Sequence, residues 1–175
     1  MKIFRFIKLA SYVIFAILIF IFREFFVTNL RYFIGGLMIL YGSLAILEIA
    51  LEKIKPIYDG HGFLFNSIEV LLGLVILILI KEYATVCVMW AVWSIFRESI
   101  ELREIVAKKL HSVLALISFI ESLAVIVLSI LLLMEPGEHH ALIHTYLLCI
   151  ELILTASIPV CNGYIFKGQK EALEE

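Results

Sequence analysis

Two apolar segments joined by a short charged turn make up residues 66–110, NSIEVLLGLVILILIKEYATVCVMWAVWSIFRESIELREIVAKKL. Each segment is close to the ~20 residues that an α-helix needs to cross the hydrocarbon core of a bilayer. The charged pair Lys81-Glu82 lies between them. We therefore predict a helical hairpin whose turn reaches the membrane surface, and the rest of the chain is organised around this unit.

The hairpin pattern recurs on both sides of this unit. Aligning Glu69 with Glu121 brings two charged outer turns together, and aligning Glu98 with Glu48 superimposes the second helices of two units. Recurrence at a fixed period is typical of proteins built from repeated supersecondary units. The pattern predicts three helical-hairpin repeats, at about residues 9–54, 66–110 and 118–162.

The composition is that of a membrane protein. Hydrophobic residues make up 63% of the chain and charged residues 17%, with a mean hydropathy of +1.06, whereas apolar residues are about half of a soluble domain. The 175 residues suffice for about six spans of ~20 residues with short connections. We predict an all-α, six-transmembrane-helix bundle that forms a single integral membrane domain over residues 1–175. The predicted spans cover residues 9–22, 33–51, 63–80, 83 onwards, 113–134 and 141–160.

The first and the last apolar segments are expected to end differently. No small-residue cleavage site follows the first apolar run, so we predict that it is retained as a span. Pro159 is expected to bend or end the last helix, because proline lacks a backbone N–H. A short charged tail then follows at residues 164–175.

Basic residues predict the orientation. With the N-terminus inside, only Arg23, Arg31 and Lys81 of the 14 lysines and arginines fall on the outer side. Lysine and arginine are enriched in cytoplasmic loops, so both termini are predicted to be cytoplasmic in a multi-pass protein of the cytoplasmic (inner) membrane. The net charge of −2, without a cluster of basic and aromatic residues, argues against a nucleic-acid partner.

A tryptophan, a basic residue, a small residue and an Ile-Glu-Ile-like end follow one another in residues 91–102, AVWSIFRESIEL. Together with three two-helix repeats and short outer turns, this pattern resembles the HdeD-like acid-resistance membrane proteins. The chain departs from the family in having Glu98 where glycine is usual and in keeping only Pro136 in its outer turns. The resemblance covers about residues 9–160. It implies a six-span membrane protein linked to acid or membrane stress tolerance, and it does not define a molecular activity.

One glutamate falls in each of the predicted spans two to six. An ionised side chain inside a bilayer costs at least a few kcal/mol unless it faces protein or water. Helical spacing places these glutamates on polar stripes, which we expect to meet around one cavity open to the cytoplasm. Arg97 is a candidate counter-ion for Glu98, Glu101 or a neighbouring helix, or it extends to the inner headgroups. The five glutamates are Glu48, Glu69, Glu98, Glu121 and Glu151.

Two functions fit such a layer of acids. Crowded carboxyl groups in a poorly hydrated site cannot all be ionised, which suits a relay that loads and releases protons or small cations. The alternative is a non-catalytic structural or assembly protein whose carboxyl groups bind neighbouring helices, partner helices or a second copy in a homo-oligomer. Asp59 is the only aspartate and no GxSxG, P-loop or CxxC motif is present, so we predict neither an enzyme nor a bound cofactor.

A histidine-rich segment begins the last predicted span. His140 and His144 are four residues apart and can share a helix face, with Glu138 as an oxygen donor. Such a set could hold zinc or copper, although it lacks a second spaced pair of ligands. The alternative is an exposed turn that senses external acid.

Overall fold

The computed structural model describes residues 2–51, 60–107 and 113–174, with side chains described for residues 7, 9–50, 62–103, 106, 113 and 116–157. Within these ranges the protein is all helical and contains no strand. Its elements are α1 (Lys2–Ile21), α2 (Arg23–Thr28), α3 (Leu30–Leu51), α4 (Gly60–Ile78), α5 (Tyr83–Ala107), α6 (Val113–Met134) and α7 (Glu138–Glu174).

Three of these helices contain stretches long and apolar enough to cross a membrane, at Leu30–Ala50, Leu116–Met134 and Glu138–Ser157. Shorter apolar stretches lie at Leu9–Ile21 and Gly62–Ile78. Large apolar side chains also cover the outside of the bundle, with Ile78 65% exposed and Val127 56% exposed. A bilayer is the solvent in which such a surface is stable, so the described helices suggest an all-α membrane protein.

The chain departs from the predicted helix boundaries in two places. The six-residue helix α2 was not predicted, and it lies between irregular residues at Phe22 and Asn29. The side chains of Thr28 and Asn29 bond to carbonyl groups four residues earlier, Glu24 at 2.8 Å and Phe25 at 3.0 Å, which is how such side chains compete with regular backbone bonding.

The second departure is at Pro159. The last helix continues past it to Glu174, so an end at Pro159 is wrong, whereas a bend there stays a prediction. A proline removes one intrahelical hydrogen bond, and a helix in a bilayer tolerates this loss because neighbouring groups satisfy the freed carbonyl.

Helix pairing follows the predicted hairpins only in part. Among the described residues the most extensive packing joins α3 to α4, α5 to α6 and α1 to α7, followed by α6 to α7. The predicted units pair α1 with α3, α4 with α5 and α6 with α7, so the third pair is among the observed contacts. Two of the three closest pairs therefore join helices from adjacent predicted repeats.

Glycines account for the close packing of α3 on α4. A Cβ atom placed on Gly73 would lie 2.7 Å from the carbonyl oxygen of Gly35, and one placed on Gly42 would lie 2.9 Å from that of Asn66. Backbones in membrane helices approach this closely only at small residues. Arg31 also donates through Nε and Nη2 to the carbonyl oxygen of Leu77, which is one of the carbonyls left unpaired at the end of α4.

The core of the bundle receives buried apolar side chains from all seven helices. Cys87 and Ala91 of α5 are fully buried, as are Leu132 of α6 and Ala141 of α7. Their burial fixes the rotation of α5, and that rotation determines which of its polar side chains point inward.

Candidate functional site: the Arg97 pocket

A small polar pocket of about 40 Å³ lies between α3, α4, α5 and α7. We call it the Arg97 pocket. Its polar lining side chains are Tyr41, Glu69, Trp93, Ser94, Arg97, Glu98 and Glu151. The apolar part of its lining consists of Ile34, Leu37, Met38, Trp90, Leu148 and Leu152.

Helix α5 contributes more of this lining than any other single helix because of its spacing. Trp90, Ser94 and Arg97 recur every three to four residues and therefore share one face. Val92 and Phe96, on the opposite face, are 51% and 53% exposed. Ser94 and Arg97 of α5 are thus directed towards the pocket, while Val92 and Phe96 face outward.

An ion pair crosses the pocket. Arg97 Nη2 lies 2.9 Å from Glu151 Oε1, joining α5 to α7. Glu151 Oε1 has no aligned hydrogen-bond donor within the described part of the chain, so the contact rests on charge attraction. The Arg97 side chain is 34% exposed and that of Glu151 only 9%, so Arg97 is the more accessible partner of the pair. Arg97 also interacts electrostatically with Glu69 and Glu98.

Two further predicted acids lie outside the lining. Glu121, on α6, is buried and lies within electrostatic range of Glu151 and Glu98. Glu48, near the end of α3, is half-buried and is not among the residues that line the pocket. The structure therefore brings Glu69, Glu98 and Glu151 around Arg97, with Glu121 next to them on α6.

Several buried polar atoms at the pocket and beside it have no hydrogen-bond partner among the residues that the structure describes. The Ser122 hydroxyl lies beside the Glu98 carboxyl, and the Trp93 indole beside that of Glu69, but neither contact has hydrogen-bond geometry. Buried polar atoms in native proteins are nearly always paired, and leaving one unpaired costs about 1–3 kcal/mol. The unpaired atoms are Tyr41 Oη, Trp93 Nε1, Glu98 Oε2, Glu121 Oε1 and Ser122 Oγ.

Water can satisfy such a mixture of donors and acceptors. One water needs roughly 10–15 Å³ of accessible space and two to four polar neighbours. The Arg97 pocket, at about 40 Å³, meets both conditions for a few water molecules. It is therefore suited to a small mobile polar species rather than to an organic ligand.

The predicted metal set at the start of α7 is not assembled. His144 is 2% exposed, its Nε2 lies 2.8 Å from Ser129 Oγ, and its ring packs against Trp90 at 4.3 Å. His140 Nδ1 instead lies 3.9 Å from Glu135 Oε2 at the surface, and Glu138 is exposed. Among the described residues no three His, Cys, Asp or Glu are placed to hold a metal ion. His144 is thus engaged with Ser129 inside the bundle, whereas Glu138 lies at the surface.

Comparison with known proteins gives no relative. No protein-family model, curated protein or solved structure matches the chain. The resemblance to HdeD-like proteins stays a prediction based on residues 91–102, of which Trp93, Arg97 and Glu98 line the pocket.

Two polar contacts were not predicted from the sequence. Tyr41 lines the pocket beside Arg97 and Glu151, although it was read only as part of an apolar span. Tyr41 lies two turns before Glu48 on the same face of the helix, and this spacing could have indicated that it belongs to the polar face. The bond between Ser129 and His144 had no such signal, because the two residues belong to different helices.

Proposed function

We propose that this protein is a six-span, multi-pass protein of the cytoplasmic membrane in which the Arg97 pocket relays protons or small cations. Three long apolar helices support the membrane assignment. Helices α1, α4 and α5 complete the six spans in this proposal, because each packs against one of those three or against a neighbour of one. We also propose, from the resemblance alone, a role in acid or membrane stress tolerance.

The main support for the relay is the set of buried polar atoms that have no hydrogen-bond partner among the described residues. Carboxyl groups that only hold helices together are expected to bond to groups on the neighbouring helix. Here Glu98 Oε2 and Glu121 Oε1 have no partner in the described part of the protein. Buried carboxyl oxygens without a protein partner favour a site that exchanges protons or small cations with bound water.

The order of the groups suggests a route. Arg97, at 34% exposure, is the most accessible charged group of the pocket, and Glu98, at 1%, is the most buried. Glu121 on α6 lies beyond Glu98. Trp90 and Leu148 lie between the pocket and His144, so we propose that the pocket opens to the other side of the membrane only.

Flux measurements in proteoliposomes test the relay. The purified protein is reconstituted, a pH difference is imposed, and the internal pH is followed with a trapped dye. Glu151→Gln should abolish the flux, because glutamine keeps the shape of glutamate but cannot exchange a proton. The matched control is Glu24→Gln on the exposed surface of α2, which should leave the flux at the wild-type rate. Wild-type flux in a folded Glu151→Gln protein would rule out a relay through this residue.

The ion pair between Arg97 and Glu151 supports a second candidate, a structural or assembly role. It joins α5 to α7 at 2.9 Å and could serve only to hold them together. Under this role neither the wild type nor the variants should show flux. Glu151→Gln should then be tolerated, whereas Glu151→Leu should lower the free energy of unfolding by roughly a kcal/mol or more.

A further inference from the structure

The Arg97 pocket already contains a cation, the Arg97 guanidinium. We propose that the pocket carries protons and excludes metal cations such as Na⁺ and K⁺. This inference rests on the proposed relay and names its substrate. Three properties of the pocket support it: its size, the position of its fixed charge, and the arrangement of its unpaired atoms.

Size is the first property. A dehydrated metal cation needs a surrounding set of oxygen atoms that replaces its hydration shell. The pocket has room for only a few water molecules, at about 40 Å³. Its carboxyl groups come from three helices and surround Arg97, so a metal ion would have to share this volume with the guanidinium. A proton needs only one carboxyl oxygen or one water.

Fixed charge is the second property. Arginine stays protonated in proteins, and Arg97 Nη2 lies 2.9 Å from Glu151 Oε1. A metal cation bound to Glu151, Glu69 or Glu98 would therefore lie close to a permanent positive charge in a poorly hydrated site, where like charges repel strongly. A proton bound to a carboxyl group neutralises it and leaves a single positive charge in the pocket.

The unpaired atoms are the third property. Glu98 Oε2 and Glu121 Oε1 are acceptors, and Ser122 Oγ beside Glu98 can both donate and accept. Tyr41 Oη on the opposite wall has the same two abilities. Hydroxyl groups and waters that alternate as donor and acceptor allow a proton to pass between two carboxyl groups. A metal ion cannot be transferred along such groups in this way.

Separate readouts for protons and for metal ions test this inference. Proteoliposomes are loaded with a pH dye or with a Na⁺- or K⁺-sensitive dye, and each gradient is imposed alone. The wild type should pass protons at the same rate when Na⁺ and K⁺ are replaced by a large impermeant cation, and it should show no Na⁺ or K⁺ uptake above empty vesicles. Uptake of either metal ion at a rate comparable to the proton flux would overturn the inference and leave the relay standing. Absence of any flux would instead contradict the proposed function.

Variants at Arg97 test the role of its charge. Arg97→Gln should raise Na⁺ or K⁺ uptake to about tenfold or more above that of empty vesicles, because the fixed charge that repels these ions is lost. Arg97→Lys should stay selective, and it keeps the test decisive if Arg97→Gln does not fold. The control is Arg103→Gln, an exposed residue of the same helix, which should behave as the wild type. A folded Arg97→Gln protein that still excludes both ions, or an Arg97→Lys protein that admits them, would overturn the role of the Arg97 charge.

Discussion

At the scale of single residues, His144 shows how a polar side chain is accommodated inside this bundle. Its Nε2 pairs with Ser129 at 2.8 Å, and Trp90 covers its ring. Nδ1 has no hydrogen-bond partner among the described residues. The Ser129 contact is therefore the one hydrogen bond in that part of the protein that compensates the His144 side chain for its removal from water.

Replacing Ser129 tests how much its hydrogen bond to His144 contributes to the stability of the protein. Ser129→Ala leaves His144 Nε2 buried without a partner and should lower the free energy of unfolding by about 1–3 kcal/mol. Thermal unfolding in detergent micelles measures the loss. Ser157→Ala is the matched control, since Ser157 is exposed and bonds only within its own helix, to Ile153 at 2.7 Å. Equal stability of the two variants would show that the Ser129 contact contributes nothing.

Arg97 and Glu151 should be energetically coupled. Arg97→Met leaves the Glu151 carboxyl buried without its counter-ion, and should cost roughly 1–3 kcal/mol. This is less than the loss expected for a fully buried pair, because Arg97 is 34% exposed. Adding Glu151→Gln should recover part of the loss, giving a coupling free energy of about 0.5–3 kcal/mol in a double-mutant cycle. Strictly additive losses would mean that the ion pair does not stabilise the fold.

At the scale of helices, the α3–α4 contact depends on which face of α3 each glycine occupies. Gly35 faces α4, where an added Cβ would lie 2.7 Å from Leu77 Cγ and 2.9 Å from the carbonyl oxygen of Gly73. Gly36, the next residue, has nothing within 4 Å of an added Cβ. The two neighbouring glycines therefore form a natural test pair.

Gly35→Ala should push α3 away from α4 and lower the free energy of unfolding by about 1–3 kcal/mol, the usual cost of overpacking. Gly36→Ala should be neutral, or should stabilise by up to about 1 kcal/mol, because alanine favours a helix more than glycine does. Unfolding of both variants in the same detergent compares them directly. Stabilisation by Gly35→Ala would mean that the two backbones are not in close contact.

The sequence predicted the positions of the helices better than it predicted which helices pack against each other. A bilayer requires apolar runs of about 20 residues, so α6 begins and ends at Val113 and Met134 as predicted. Hydropathy carries no information about which helix packs on which, and the predicted hairpins consequently agree only in part with the observed pairs. The same limit applies to the site. The acids could be expected to face protein, but the choice of Glu151 as the partner of Arg97 depended on how α7 packs against α5.

At the scale of the whole molecule, α3 and α4 run in opposite directions, since Arg31, near the start of α3, bonds to Leu77, near the end of α4. The described connection at residues 79–82 therefore lies at the same end of the bundle as residues 22–29. Arg23 lies 6.0 Å from the ring centroid of Tyr146 in the first part of α7, which brings the connection at residues 135–137 towards the same end. This is the end that carries few basic residues, and we expect it to face outward.

Labelling of single cysteines tests this orientation. In a variant without the native cysteines, His139→Cys should react with a membrane-impermeant maleimide added to intact cells, because His139 is exposed in the outer turn. Arg103→Cys should react only after the cells are permeabilised. The reverse pattern would invert the molecule and move the mouth of the Arg97 pocket to the outer side.

The packing of α1 against α7 has a consequence for biosynthesis. Most of the helix contacts of α1 are with the last helix of the chain, whereas α3 with α4 and α5 with α6 are consecutive and can pair as soon as they are inserted. Since a chain emerges from the ribosome N-terminus first, the face of α1 that packs on α7 stays uncovered until α7 is inserted, whereas Tyr12 and Phe15 can already contact Tyr41 of α3. An insertase or a membrane quality-control protease can recognise this uncovered face, and removal of α7 would leave it uncovered permanently.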